Sequence, residues 1–147
     1  MTDEYYMNQA LAEALLALEA GEVPIGAVVV ADSTGRILGR GHNMTEALRD
    51  VTAHAEMLAI TAAQTALGGK YLRGCTLYVT VEPCTMCAGA IGWSQISRVV
   101  YAAPDEKRGY LSVCGARSPF HPKTRVDSGI LEDQARELMQ GFFRLLR

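Results

Sequence analysis

The chain has 147 residues, enough for one domain that buries about two thirds of its unfolded surface. Its composition, 49% hydrophobic and 20% charged, is that of a globular protein and excludes a disordered, collagen-like or disulfide-dense chain. The net charge of −2 is unevenly divided: residues 1–97 carry 5 Lys/Arg against 10 Asp/Glu and residues 98–147 carry 9 against 6, which permits a basic face toward phosphates without requiring one.

The opening segment, MTDEYYMNQALAEALLALEAGE, has acids and no Lys or Arg, unlike a signal or transit peptide. No apolar run reaches the about 18–20 residues that cross a bilayer, so no membrane contact is expected. A cytoplasmic, reducing setting follows as the expectation. There the Asn43-Met44-Thr45 sequon is silent, and a CxxC is more often metal-binding or catalytic than a disulfide.

Met7, Ala10, Leu11, Ala14, Leu15 and Leu18 recur at helical spacing and predict an amphipathic helix that Gly21 stops. VPIGAVVVA (23–31) is too short and too β-branched for a helix and reads as a buried strand. The DSTG turn at 32–35 leads into RILGRGHN, which completes a hairpin. A second helix is predicted from Asp50 or Thr52 through HAEMLAITAAQTAL to Gly68-Gly69. CTLYVTV (75–81) is a strand, CTMCAGAIGW (84–93) is helical, and RVVYAA (98–103) is a strand again. Residues 104–124 read as irregular. A last helix covers about 130–147, with Ile130, Leu131, Leu138, Phe142 and Leu145 on its inner face. Strands alternating with helices after a hairpin predict one α/β domain over 1–147. Its sheet should be antiparallel at the hairpin and parallel at the crossovers, with ligands collecting where strand ends meet helix starts.

Two segments, 50–56 and 81–87, lie at such junctions. Cys84 and Cys87 share a helical face at i, i+3 spacing, and a helix N-terminus favours thiolates. With His54 they would make a three-ligand zinc site that leaves one tetrahedral position for water. The bland alternative for the two thiols is small buried side chains or a thioredoxin-like redox pair, which would need no His-x-Glu partner. Cys75 and Cys114 stand apart from them. Glu56 is the candidate carboxylate to handle the protons of that water. On an ideal helix, however, i and i+2 point to nearly opposite sides, so spacing does not by itself place Glu56 beside His54. Glu82 reads either as an orienting group or as a cap for the helix after Pro83. His42 and His121 divide evenly between surface and substrate contact, and Phe142 and Phe143 read as helix packing. Lys107, Arg108, Arg117, Lys123, Arg125, Arg144 and Arg147 are candidates to meet phosphates.

His54-Ala55-Glu56 together with Pro83-Cys84-Thr85-Met86-Cys87 matches the H-x-E…P-C-x-x-C signature of zinc-dependent nucleobase deaminases. That resemblance implies one zinc per subunit, held by His54, Cys84 and Cys87, with Glu56 as proton shuttle. VPIGAVVV, GHN at 41–43, DVTAHAE, TLYVTVEPCTMCAGAI, RVVYAAPDEKRG and GILEDQARELMQGFFRLLR further resemble the bacterial tRNA-specific adenosine deaminases. The resemblance implies a three-layer α/β/α sandwich of cytidine-deaminase type with a mixed five-stranded sheet. It implies hydrolysis of the wobble adenosine of tRNA to inosine, by a homodimer that grips the anticodon stem-loop with both subunits. Asn43 would contact the target nucleoside and Asp105 the RNA sugar, while Val23, Pro24, Ile25, Ala55 and Pro83 would line the pocket. The sequence departs from the family pattern at MTEALRDV after Asn43 and across 110–125. A deaminase of free guanine or cytosine bases or nucleosides with the same zinc site is the alternative, and a zinc-stabilised RNA-binding domain the non-enzymatic one.

Overall fold

The computed structural model describes residues 1–146. Helix α1 (Asp3–Glu19) is capped by Thr2, whose hydroxyl accepts the Tyr5 N–H at 3.1 Å, and Asp3 and Glu4 complement its dipole. Its inner stripe is Tyr6, Met7, Ala10, Leu11, Ala14 and Ala17. The predicted stripe is therefore rotated: Leu15 is 46% exposed, because small alanines let the helix lie closest to the sheet along a neighbouring line.

Strands β1 (Gly26–Ala31) and β2 (Ile37–His42) form the expected antiparallel hairpin, with Gly26 opposite His42. The first strand starts later than predicted, and Val23-Pro24-Ile25 become its lead-in. There follow α2 (Thr45–Leu48), α3 (Ala55–Leu67), β3 (Cys75–Val81), α4 (Thr85–Ser94), β4 (Arg98–Ala103), α5 (Tyr110–Cys114), β5 (Arg125–Ser128) and α6 (Glu132–Leu145). The strand order is β2-β1-β3-β4-β5, with β3 antiparallel to β1 and β4 and β5 parallel to their neighbours. The sheet is mixed for the reason anticipated: a tight turn joins β1 to β2, and helices carry the chain between the parallel strands.

Alternation assigns each strand residue to one of two cores. Ala27, Val29, Leu77, Val79 and Val99 face α3 and α4, where Ala59, Ile60, Ala63, Ala88 and Ile91 receive them. Val28, Val30, Tyr78, Val100 and Ala102 face α1 and α6 on the other side. These are the three layers. Helix α3 lies directly on β2, and Gly39 and Gly41 make this possible. A Cβ at either glycine would strike the α3 backbone at Ala59 and Ala63 or at Ala55 and Ala59.

Candidate active site

The N-termini of α3 and α4 meet at the C-terminal end of β3. Both helices start later than predicted, α3 at Ala55 and α4 at Thr85, and that offset builds the site. His54 is the cap of α3, with extended backbone (φ −78°, ψ 155°), so the helix begins at Ala55 rather than near Asp50 or Thr52. Residues 50–54 form a turn in which the Asp50 carboxylate accepts both the N–H and the hydroxyl of Thr52. Because His54 precedes the helix, the opposite facing of i and i+2 does not apply, and His54 and Glu56 open into one cavity. Cys84 likewise caps α4 with extended backbone, and Cys87 lies in its first turn.

His54 Nδ1 lies 3.5 Å from Cys84 Sγ and 3.5 Å from Cys87 Sγ, and the three ligand atoms all fall within 4.8 Å of one another. Zinc bonds of about 2.0–2.1 Å to nitrogen and about 2.3 Å to sulfur at tetrahedral angles place N and S about 3.6 Å apart. The donor set and its spacing fit that ion. Among the described residues no fourth His, Cys, Asp or Glu joins the group. The Cys87 thiol donates to Cys84 and holds the Cys84 pKa down at about 4. The same bond and then burial push the Cys87 thiol well up. The Cys84 contact raises His54. Glu56 is 4% exposed, and burial lifts its carboxyl to about 7.

Above this cluster opens a cavity of about 510 Å³. Val23, Ile25, Asn43, Ala55 and Asp105 stand in its wall with His54, Glu56 and Cys84. Pro24, Pro83 and Cys87 are buried and do not line the cavity, so the two prolines are not the pocket residues expected. Asp105 is partly committed to its own loop, since its Oδ1 accepts the N–H groups of Lys107 and Arg108 at 3.1 and 3.0 Å.

Glu82 is an orienting group. It is 5% exposed and binds two backbone amides, Asp105 N–H at 3.1 Å through Oε1 and Leu111 N–H at 3.1 Å through Oε2. Gly109 is required there, because a Cβ would meet the Glu82 carboxylate and the Asp105 carbonyl. Tyr110 N–H donates to the Pro83 carbonyl at 2.9 Å and closes the loop onto the Cys84 segment.

Sequence reading missed Thr45, Val81 and Met139 in the cavity wall; Arg108, a candidate for phosphates, lines it too, and so does Phe143, which the sequence reads as helix packing. Met139 and Phe143 are i, i+4 on α6, so the helix period carried the signal, but only the tertiary fold says that α6 has a second apolar stripe. Phe142 instead lies with Leu18 and Leu138 in the groove between α1 and α6. His42 is not in the cavity; its Nδ1 lies 3.2 Å from Glu13. His121 accepts the Lys123 N–H and sits in another hollow, beside Arg73, at the opposite end of the strands.

The family model for the cytidine and deoxycytidylate deaminase zinc-binding region matches residues 1–103. The tRNA-specific adenosine deaminase of Bacillus subtilis is 47% identical over 99% of this chain and 91% of its own. A structure solved in studies of A-to-I editing by tRNA:A34 deaminases at the wobble position of transfer RNA is 45% identical. It superimposes with a TM-score of 0.83 over 91% of this chain and 98% of that one. The guanine deaminase of B. subtilis is further away, 38% identical with a TM-score of 0.67 over 80% of this chain and 71% of that one. Matched over almost its whole length in sequence and in fold, the chain belongs to the tRNA-specific adenosine deaminases, within the zinc-binding cytidine and deoxycytidylate deaminase family.

Proposed function

We propose that this protein converts adenosine to inosine at the wobble position of a tRNA anticodon, by hydrolysis, with one zinc per subunit. The observation that carries this is the convergence of His54, Cys84 and Cys87 beside buried Glu56, at the floor of a cavity rimmed by Arg108 and Phe143. Zinc held by His54 Nδ1 and the two thiolates would bring the pKa of a water toward about 7. Glu56 takes one proton from that water and passes it to the purine N1 as the C6–O bond forms. Glu56 then carries the second proton to the 6-amino group. The C6–N bond breaks, ammonia leaves, and C6 becomes the carbonyl of inosine. A carboxyl near pKa 7 suits both transfers.

Asn43, Val23, Ile25 and Ala55 orient the base, and Asp105 stands where the sugar enters. Arg108 and Phe143 suit the flanking nucleotides, one by charge and the other by stacking. An anticodon loop is already single-stranded, so flipping its base costs less than in a duplex. Trp93, 85% exposed beside Tyr71, is an apolar surface that supports a homodimer. No described helix is long and apolar enough to cross a membrane, and tRNA as partner favours the cytoplasm.

The test is a single-turnover reaction of zinc-loaded protein with an anticodon stem-loop bearing wobble adenosine, followed by digestion and mass spectrometry. Inosine in the stem-loop is expected. Turnover of free guanine, cytosine or adenosine with none in the RNA would instead select the small-molecule reading.

A further inference from the structure

One wall of the cavity is held by a buried carboxylate outside the reacting group. Glu22 is 2% exposed and sits between α1 and β1, directly before the pocket residue Val23. Its Oε1 accepts the Glu46 N–H at 3.0 Å and lies 3.5 Å from the Thr45 hydroxyl, and its Oε2 accepts the Ala47 N–H at 2.8 Å. These are amides at the start of α2, a helix of four residues with no cooperative stability of its own. Its own cap position, Met44, supplies no side-chain hydrogen bond. Glu22 thus does from 24 positions away what a local Ser or Asp does at most helix starts.

We infer that Glu22 is a positioning residue for substrate, acting through Asn43 and Thr45. Thr45, whose side chain meets Glu22, lines the cavity, and its N–H donates to Asn43 Oδ1 at 3.4 Å. With Oδ1 so engaged, the Asn43 amide nitrogen is the group left to donate to a bound nucleoside. Asn43 is also fixed through its backbone, where its N–H donates to the Ile25 carbonyl at 3.1 Å and the Met44 N–H to Ala53 at 3.0 Å. Glu22, Asn43 and Thr45 therefore form one linked unit, and releasing Glu22 loosens the ground-state grip on the base. It leaves zinc, Glu56 and the proton path in place, since these stand at the starts of α3 and α4 and the Glu22 carboxylate bonds to Thr45, Glu46 and Ala47 instead. This assignment rests on the deaminase reading of the cavity.

The test substitutes Glu22→Gln, which keeps the shape but faces an NH2 toward backbone donors, and Glu22→Asp, which retains the charge one methylene short. On the anticodon stem-loop, Glu22→Gln is expected to raise KM about tenfold with kcat within about threefold and zinc still at one per chain, because lost uniform binding appears in KM. Glu22→Asp should fall between it and the wild type. Amide exchange at Glu46 and Ala47 should accelerate at least about tenfold in both variants, while the amides of β3 stay protected. An unchanged KM, a loss confined to kcat, or unaltered exchange at both amides would each overturn the inference. If the wild type deaminates a free base and not the RNA, the substrate reading falls by itself. Glu22 is then judged by KM on that base and by the exchange rates, which need no substrate.

Discussion

Glu56 shows most directly how one side chain acquires its chemistry from its surroundings. In water a glutamate is ionised at neutral pH and holds no proton to deliver. Burial beside thiolate-forming Cys84 lifts it to about 7, where taking and giving a proton are nearly balanced. Glu56→Gln keeps the volume and removes the exchangeable proton. It is expected to retain one zinc per chain and to lower kcat about 10³-fold, within the range that general acid–base groups supply. Zinc content by emission spectroscopy beside single-turnover rates checks both halves, and a mutant that turns over normally would remove Glu56 from the mechanism. Arg108 offers a second residue-scale expectation. It lines the cavity from the exposed side, on a loop fastened by Asp105 and Glu82. Arg108→Ala should raise KM for the stem-loop about threefold to tenfold and reduce the salt slope of RNA binding by about 1. Free adenosine has no phosphate, so its KM should not move.

At the scale of elements, the site depends on how closely α3 can approach the sheet. Helix α3 carries His54, Ala55 and Glu56 at its N-terminus, and it rests on Gly39 and Gly41 of β2 without intervening side chains. Gly41→Ala forces the helix away, and overpacking of this kind costs about 1–3 kcal/mol. The expected result is a lower urea midpoint together with weaker zinc binding, measured by competition with a chromophoric chelator. Unchanged zinc affinity would show that α4 sets the metal geometry by itself. The elements legible in the sequence were those with a helical period, a β-branched run or a clear turn beside them: α1, the β1–β2 hairpin, α3, β3, α4, β4 and α6, with the start of α3 placed too early. The signature residues were legible too, but their geometry was not. Whether His54 and Glu56 could share a cavity depended on His54 being an extended cap, which spacing cannot reveal. Strand β5 was missed because Arg125-Val126-Asp127-Ser128 is exposed throughout and carries no hydrophobic pattern. It is a strand only because β4 offers it a free edge. The short helices α2 and α5 have no pattern of their own either; Glu22 and Glu82, distant in sequence, hold the segments they belong to.

At the scale of the whole molecule, one ionic cluster ties the first residues to the far edge of the sheet. Arg98, at the start of β4, donates to both carboxylate oxygens of Asp3 at 2.8 and 2.9 Å and to Asp127 of β5 at 2.9 Å. The Tyr78 hydroxyl of β3 also donates to Asp3, at 2.7 Å. The cluster thus joins α1, β3, β4 and β5 on the face opposite the zinc ligands. Hydrogen bonding from Arg98 holds the Asp3 carboxyl down at about 2, against 3.8 for the free group. A depressed folded-state value means that Asp3 stabilises the protein fully above pH 3.8. That contribution is lost as the pH falls from 3.8 toward about 2, where the folded carboxyl also takes up its proton. Because the Asp3 side chain is 34% exposed, solvent screening brings the contribution to about 1 kcal/mol. Asp3→Asn should therefore lower the urea midpoint at pH 7, and its difference from the wild type should shrink steadily between pH 4 and pH 2.5. The same substitution should leave zinc content and KM unchanged at pH 7, because the cluster braces the layer behind the sheet and touches nothing in the cavity. A difference that persists undiminished at pH 2.5 would mean that Asp3 acts through packing and not through its charge.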